Sequence, residues 1–153
     1  MMKLNPYLNF DGNCEEAFNF YKKVFQTEFN QYGIMRFADI PPQEGMEIPE
    51  NVKNRVMHVG INIGDQVLMG SDIMPGMKNN EGGENFRIGD NSIISIHPDS
   101  REEADRIFNE LSAGGKVESP MADQFWGDYW GSLIDRFGSA WMINYNPNEQ
   151  STF

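Results

Sequence analysis

The side chains of this chain that could do chemistry are two histidines, a few aspartates, one cysteine and a group of aromatic rings. His58 falls midway along the apolar stretch Arg55 to Ile63, on the face that a strand period gives to Val56 and Gly60, and His97 closes another short apolar run just before Pro98. An imidazole at either place could move a proton near neutral pH or hold a metal ion through a neutral ring nitrogen. A single histidine in a strand more often serves as a hydrogen-bonded structural residue. Asp72, Asp123, Asp128 and Asp135 invite an acid/base reading. Asp135 precedes Arg136-Phe137-Gly138 and reads as a turn former. Asp123 and Asp128 flank Gln124 to Gly127 and, lacking an evident partner, read as solvated charges. Cys14 sits in the first turn of a predicted helix, where the positive helix end lowers a thiol pKa while Glu15 and Glu16 act in the opposite direction.

Aromatic rings and thioethers offer a different chemistry, that of binding. Phe125, Trp126, Tyr129, Trp130 and Trp141 cluster late in the chain, and Met57, Met69, Met121 and Met142 fall on or beside predicted strands. Polarizable thioethers and flat rings make adaptable walls for flat organic ligands. Core packing is the ordinary use of any one of them, but a Gly/Asp-containing loop is an odd place to bury Phe125, Trp126, Tyr129 and Trp130 together. No glycine-rich phosphate loop, Gly-x-Ser-x-Gly elbow or paired-cysteine zinc motif is present, nor a glycine-rich turn of the kind that binds S-adenosylmethionine.

The elements that must position these groups come in two copies. Pro6-Tyr-Leu-Asn-Phe10 leads through a turn into Asn13-Cys-Glu-Glu-Ala-Phe-Asn-Phe-Tyr21, and Ser92-Ile-Ile-Ser-Ile-His97 leads into Ser100-Arg-Glu-Glu-Ala-Asp-Arg-Ile-Phe108. Asn13 with Glu16, and Ser100 with Glu103, have the spacing of a capping box. Ala17, Phe20, Tyr21, Val24 and Phe25 then follow a helical period, as do Ala104, Ile107, Phe108 and Leu111, with Gly114-Gly115 ending the second helix. Strands are predicted at Glu28 to Phe37, Arg55 to Ile63 and Gln66 to Asp72 in the first half, with a loop over Ala38 to Asn54 and a hairpin turn at Gly64-Asp65. The second half places strands at Lys116 to Met121, Tyr129 to Asp135 and Ala140 to Tyr145. Each half reads βαβββ: a first module over 1–73, a linker over 74–90 and a second module over 91–147. The fold class is α+β, two such modules forming curved mixed sheets around a cleft, and a duplicated fold commonly places its ligand between the copies.

Composition narrows the partners. The chain has 153 residues, 39% hydrophobic and 23% charged, enough for one domain of two half-modules. With 23 acidic against 12 basic residues the net charge is −11, and no basic cluster interrupts it, which argues against nucleic acid. No apolar run approaches the roughly 20 residues of a membrane span, and no secretory signal opens the chain. One cysteine allows no internal disulfide, in keeping with a reducing, cytoplasmic setting.

These segments resemble the vicinal oxygen chelate superfamily, which includes glyoxalase I, bleomycin-resistance proteins and extradiol dioxygenases, and within it the PhnB-like, 3-demethylubiquinone methyltransferase-like branch. The residues carrying the resemblance are Pro6 through Tyr21, Met57-His58, Gly64 through Asp72, Trp126 through Gly131 and Asp135 through Trp141. His58, inside the matching Met-His segment, becomes the stronger histidine candidate. The resemblance implies paired βαβββ modules, frequent homodimers and, in the enzymes, a divalent ion held by one residue from the first and last strand of each module. Strand pattern places those four positions at Asn5, Met69, Ile93 and Met142, or one residue away at Pro6, Gly70, Ser92 and Trp141 or Ile143. None is a histidine or carboxylate, so no metal or other cofactor is expected.

The expected function is binding of a small apolar or aromatic ligand without the superfamily metal, as in the bleomycin-resistance members. The expected ligand-binding residues are Tyr7, Asn9, His58, Met69, Phe125, Trp126, Tyr129, Trp130 and Met142, with Ser95 a further orienting group. One alternative is a lyase, isomerase or dioxygenase using an ion held by His58, His97 and a carboxylate such as Asp72. Another is a dimeric interaction module.

Overall fold

The structure is a computed structural model that describes residues 1–45, 47–74 and 86–148. It contains two compact units, the first ending at Arg87 and the second beginning at Ile88. The expected linker over 74–90 falls mostly outside the described residues.

The first unit runs β1 (Tyr7–Phe10), α1 (Cys14–Val24), β2 (Met35–Arg36), β3 (Val56–Ile63) and β4 (Gln66–Asp72). The second runs β5 (Ile94–Ile96), α2 (Arg101–Ser112), β6 (Lys116–Asp123), β7 (Tyr129–Ile134) and β8 (Ala140–Tyr145). Each unit is strand, helix, three strands, and each sheet has the same order: β1-β4-β3-β2 and β5-β8-β7-β6. The first strand of each unit lies parallel to the last, and the remaining pairs are antiparallel. A parallel neighbour needs a crossover, and the helix supplies it, leaving one sheet face covered and one free.

The helices cover their sheets with apolar stripes at three-and-four spacing. Helix α1 buries Cys14, Ala17, Phe18, Tyr21 and Val24, and α2 buries Ala104, Ile107, Phe108 and Leu111. Phe18, rather than the expected Phe20, is fully buried, while Phe20 and Phe25 are only partly covered. Burying a side chain of this size contributes roughly 1.5–3 kcal/mol.

The two units fill one equivalent core position in opposite ways. Gly70 pairs with Leu8 of β1, and Trp141 pairs with Ile94 of β5. A Cβ on Gly70 would lie 2.5 Å from Cε2 of Phe18, so the helix ring occupies the space above the strand. In the second unit the residue matching Phe18 is Asp105, and the ring comes from the strand as Trp141, wholly buried.

Three expectations change. The stretch Glu28 to Phe37 is a strand only at Met35–Arg36, plus a single bridge from Phe29 to Ile61. Asn30 interrupts it, accepting the Tyr32 amide on Oδ1 and the Gly33 amide on its carbonyl, with Gly33 at a φ of +59°. That is a side-chain-supported turn inside an otherwise extended segment. Strand β6 reaches Asp123, two residues beyond the expected end. Asn13 precedes α1 but makes no side-chain cap, whereas Ser100 accepts the Glu103 amide at 3.1 Å and starts α2 as expected.

Candidate functional site

Strand alternation sorts the side chains of the first unit onto two faces. On β4, Leu68, Gly70 and Asp72 are buried on the α1 side, leaving Val67, Met69 and Ser71 on the free face. Met69 pairs with Tyr7 of β1 and Gly60 of β3, and His58 pairs with Met35 of β2. One face therefore carries Tyr7, Asn9, Met35, His58, Met69 and Ser71. The Tyr7 hydroxyl and His58 Nδ1 are 3.2 Å apart, with ring centroids at 5.7 Å and planes tilted by 36°. Ser71 Oγ donates to Asn9 Oδ1 at 3.5 Å. The Asn30 amide lies over Gly60, where a Cβ would meet Nδ2 at 2.6 Å. Of the expected binding residues, Tyr7, Asn9, His58 and Met69 thus share one surface. Met35, Asn30 and Ser71 were not expected there; Ser71 follows from the alternation of β4, while Met35 needs the pairing register of β2.

The second unit divides its expected residues. Trp130, Ser132, Met142 and Asn144 lie on the face away from α2, as the pairing of Trp130 with Asn144 and Ser132 with Met142 requires. Ser95 pairs with Met142 and bonds His97 Nε2 at 3.0 Å. Phe125 and Trp126 stand at the β6–β7 hairpin, edge-to-face at 5.1 Å, with Phe125 98% exposed. Tyr129 points the other way: it is buried, its hydroxyl donates to Asp105 of α2, and the Arg101 guanidinium lies 3.8 Å above its ring. The Asp105 carboxylate, then burial, hold the Tyr129 phenol above its ordinary range. The four rings Phe125 to Trp130 do not form one cluster, because Tyr129 and Trp130 alternate across a strand.

The carboxylates have partners that the sequence did not reveal. Asp72 Oδ1 accepts the amides of Gly12 and Cys14 at 2.8 and 3.0 Å, and Oδ2 accepts that of Val56 at 2.9 Å. It supplies the acceptor at the start of α1 that Asn13 does not. Asp135 takes the amides of Phe137 and Ser139 and the Trp141 indole, forming the turn expected of it. Asp128 is buried and accepts from Asn144, and Asp123 pairs with Arg101 at 2.9 and 3.2 Å, so neither is the unpartnered solvated charge expected. The hydrogen bond from Arg101 holds the Asp123 carboxyl below its usual range. Cys14 is buried, and burial first, then the charges of Asp72 and Glu15, push its thiol well above the ordinary range, the reverse of an activated thiolate.

The donor set at the superfamily's metal positions can now be tested. Of the four expected positions, Asn5 is engaged in accepting the Val67 amide at 3.0 Å, Met69 and Met142 offer only thioethers, and Ile93 offers no donor. An occupied amide oxygen, two thioethers and an alkyl chain do not fit a hard or borderline divalent ion. The alternative set does not converge either: His58 is on the free face and Asp72 on the α1 face, its oxygens already filled. Among the described residues no three His, Cys, Asp or Glu side chains are grouped to hold an ion.

Comparison with known proteins places the chain. Residues 2–144 match the profile of the family described as 3-demethylubiquinone-9 3-methyltransferase. Protein YjdN of Escherichia coli is 31% identical over 152 residues, spanning 94% of this chain and 95% of its own. The crystal structure of protein PA1353 from Pseudomonas aeruginosa is similar at 34% identity and a TM-score of 0.80, covering 95% of this chain and 98% of that one. A putative 3-demethylubiquinone-9 3-methyltransferase, PhnB protein, from Bacillus cereus gives 24% identity and a TM-score of 0.70 over 94% and 99% of the two chains. At the level of fold alone, a glyoxalase/bleomycin resistance protein/dioxygenase family enzyme from Burkholderia phytofirmans is similar at 16% identity, a TM-score of 0.57 and 91% and 95% coverage. The chain belongs to the family described as 3-demethylubiquinone-9 3-methyltransferase.

Proposed function

We propose that this protein binds a small organic molecule on the helix-free face of its first sheet, without the superfamily's divalent ion. The observation that carries the reading is the Tyr7–His58 pair, two polar rings held together on an open sheet face by residues 51 apart in sequence. Met69 and Met35 give that face polarizable apolar surface, and Asn9 with Ser71 add hydrogen-bonding groups. A surface with few polar groups on an apolar ground suits a compact ligand bound by burial and oriented by hydrogen bonds. Trp130 and Met142 give the free face of the second sheet a similar character.

Equilibrium dialysis against a panel of flat aromatic compounds tests the proposal. Hits are expected, and Tyr7→Phe and His58→Gln are each expected to weaken them by about 5- to 30-fold, the 1–2 kcal/mol of a lost orienting hydrogen bond. A panel without hits, or hits indifferent to both substitutions, overturns it. A thermal-shift series on EDTA-treated protein with Zn²⁺, Ni²⁺, Mn²⁺ and Fe²⁺ is expected to show no rise. An ion at a hundredfold excess over its Kd would stabilise the native state by about 2.7 kcal/mol. A rise abolished by His58→Ala would replace the metal-free reading with the metal-dependent one.

A further inference from the structure

The Tyr7–His58 pair also carries information about the ligand. Among the described residues Tyr7 is the sole hydrogen-bond partner of the His58 ring, and it takes Nδ1. Nε2 is therefore the ring atom left for a ligand. As the Nδ1–H tautomer the neutral ring donates to the Tyr7 oxygen and leaves Nε2 an unprotonated acceptor, and once protonated at Nε2 it keeps that same bond. The hydroxyl rotates to suit, so the pair tolerates a proton arriving at Nε2 without losing its own bond.

The charges around the pair decide which ligands can supply that proton. The ionisable side chains on the four strands of the first sheet are Tyr7, Arg36, His58 and Asp72. Arg36 is spent on Glu15 of α1 and the Asn54 carbonyl, and Asp72 lies buried on the α1 side. Next to the sheet, Arg55 pairs with Asp11 and the Ile73 carbonyl. What faces His58 is thus Tyr7 from β1, Met35 from β2 and Met69 from β4, with the neutral Asn30 amide over Gly60. Among the described residues of the first sheet no fixed cation waits there for a phosphate or carboxylate, and a chain of net charge −11 repels an obligate anion on approach. A ligand that enters neutral and ionises only against the imidazole avoids both costs.

We infer that this face takes a neutral, flat ring bearing an acidic hydroxyl, an activated phenol or an enol, which transfers its proton to His58 on binding. The inference rests on the small-molecule reading above. In the step, the ligand O–H bond breaks and its electron pair stays on oxygen. An N–H bond forms at Nε2, and Tyr7 accepts from Nδ1–H. Nothing is oxidised or reduced, and the imidazolium–oxyanion pair is neutral overall. Charge-assisted hydrogen bonds of this kind are stronger than neutral ones, so affinity rises with the acidity of the hydroxyl. Alkali weakens binding, because it ionises the ligand before it arrives.

A matched series of phenol, 4-cyanophenol, 4-nitrophenol and the methyl ether 4-nitroanisole tests it by equilibrium dialysis and absorbance. Affinity is expected to rise at least tenfold from phenol to 4-nitrophenol and to fall at least tenfold on methylation. Bound 4-nitrophenol is expected to show the nitrophenolate band at a pH where the free compound is protonated. His58→Gln should remove the band, and Tyr7→Phe should weaken it, with circular dichroism unchanged in both. If 4-nitroanisole binds as tightly as 4-nitrophenol, or the bound phenol stays protonated, the ligand class is wrong while the binding face stands. If neither this series nor the wider aromatic panel binds in a His58-dependent way, the binding face itself is overturned.

Discussion

Replacing Asp72 by alanine is expected to destabilise the protein by about 3 kcal/mol or more, measured as the urea-induced loss of circular dichroism. The carboxylate takes three backbone amides, those of Gly12, Cys14 and Val56. Cys14 and Val56 are fully covered, so water cannot replace the lost acceptor there without opening the structure. Each buried donor left without a partner costs about 1–3 kcal/mol, against a total of about 5–15 kcal/mol for a domain. Asp72→Asn keeps the shape but turns an NH2 toward one of these amides, and it is expected to recover less than half of the loss. A change below about 1 kcal/mol for the alanine variant would mean that the carboxylate is not the tie between β4, β3 and α1.

Trp141→Ala is expected to have a comparable effect in the second unit, about 3–5 kcal/mol, the usual cost of emptying a buried tryptophan site. Its ring fills the position that Phe18 fills from the helix in the first unit, and no helix side chain of similar size can replace it, because the matching residue is Asp105. The substitution also removes the indole donor from Asp135 Oδ2. Trp141→Phe separates the two contributions: it restores most of the volume but not the donor, and a residual loss of about 1–2 kcal/mol is expected for the hydrogen bond. Equal losses for the two variants would show that the Asp135 bond, rather than packing, is what Trp141 contributes.

Local pattern was enough to read most of the scaffold. The repeated Glu-Glu-Ala helices, the Gly64-Asp65 hairpin and the Gly114-Gly115 stop are contiguous signals, and β4 and β8 fall at their expected bounds, Gln66–Asp72 and Ala140–Tyr145. What failed to show was set by contacts distant in sequence. Asn13 looked like a cap because its type and spacing are right, yet the acceptor comes from Asp72, 58 residues beyond Cys14. The Asn30 turn was hidden in a stretch whose apolar content resembles a strand. Tyr7, Asn9, His58 and Met69 were each legible as candidates, but the 3.2 Å approach of Tyr7 to His58 depends on β1 and β3 both flanking β4. Tyr129 was misplaced because a compact run of rings was read as one group, where the alternation of β7 sends neighbours to opposite faces.

The two helix starts imply different histories during folding. Helix α2 carries its acceptor within its own first turn, so its initiation is a local event. Helix α1 is synthesised first, yet its leading amide has to wait for the far end of the unit to arrive. Completion of the earliest helix is then the step that ties the unit's ends together, and order of synthesis and order of consolidation run opposite ways. In pulse-labelled refolding, hydrogen-exchange protection of the Cys14 amide should appear together with that of Val56, the two being held by one side chain, and not ahead of it.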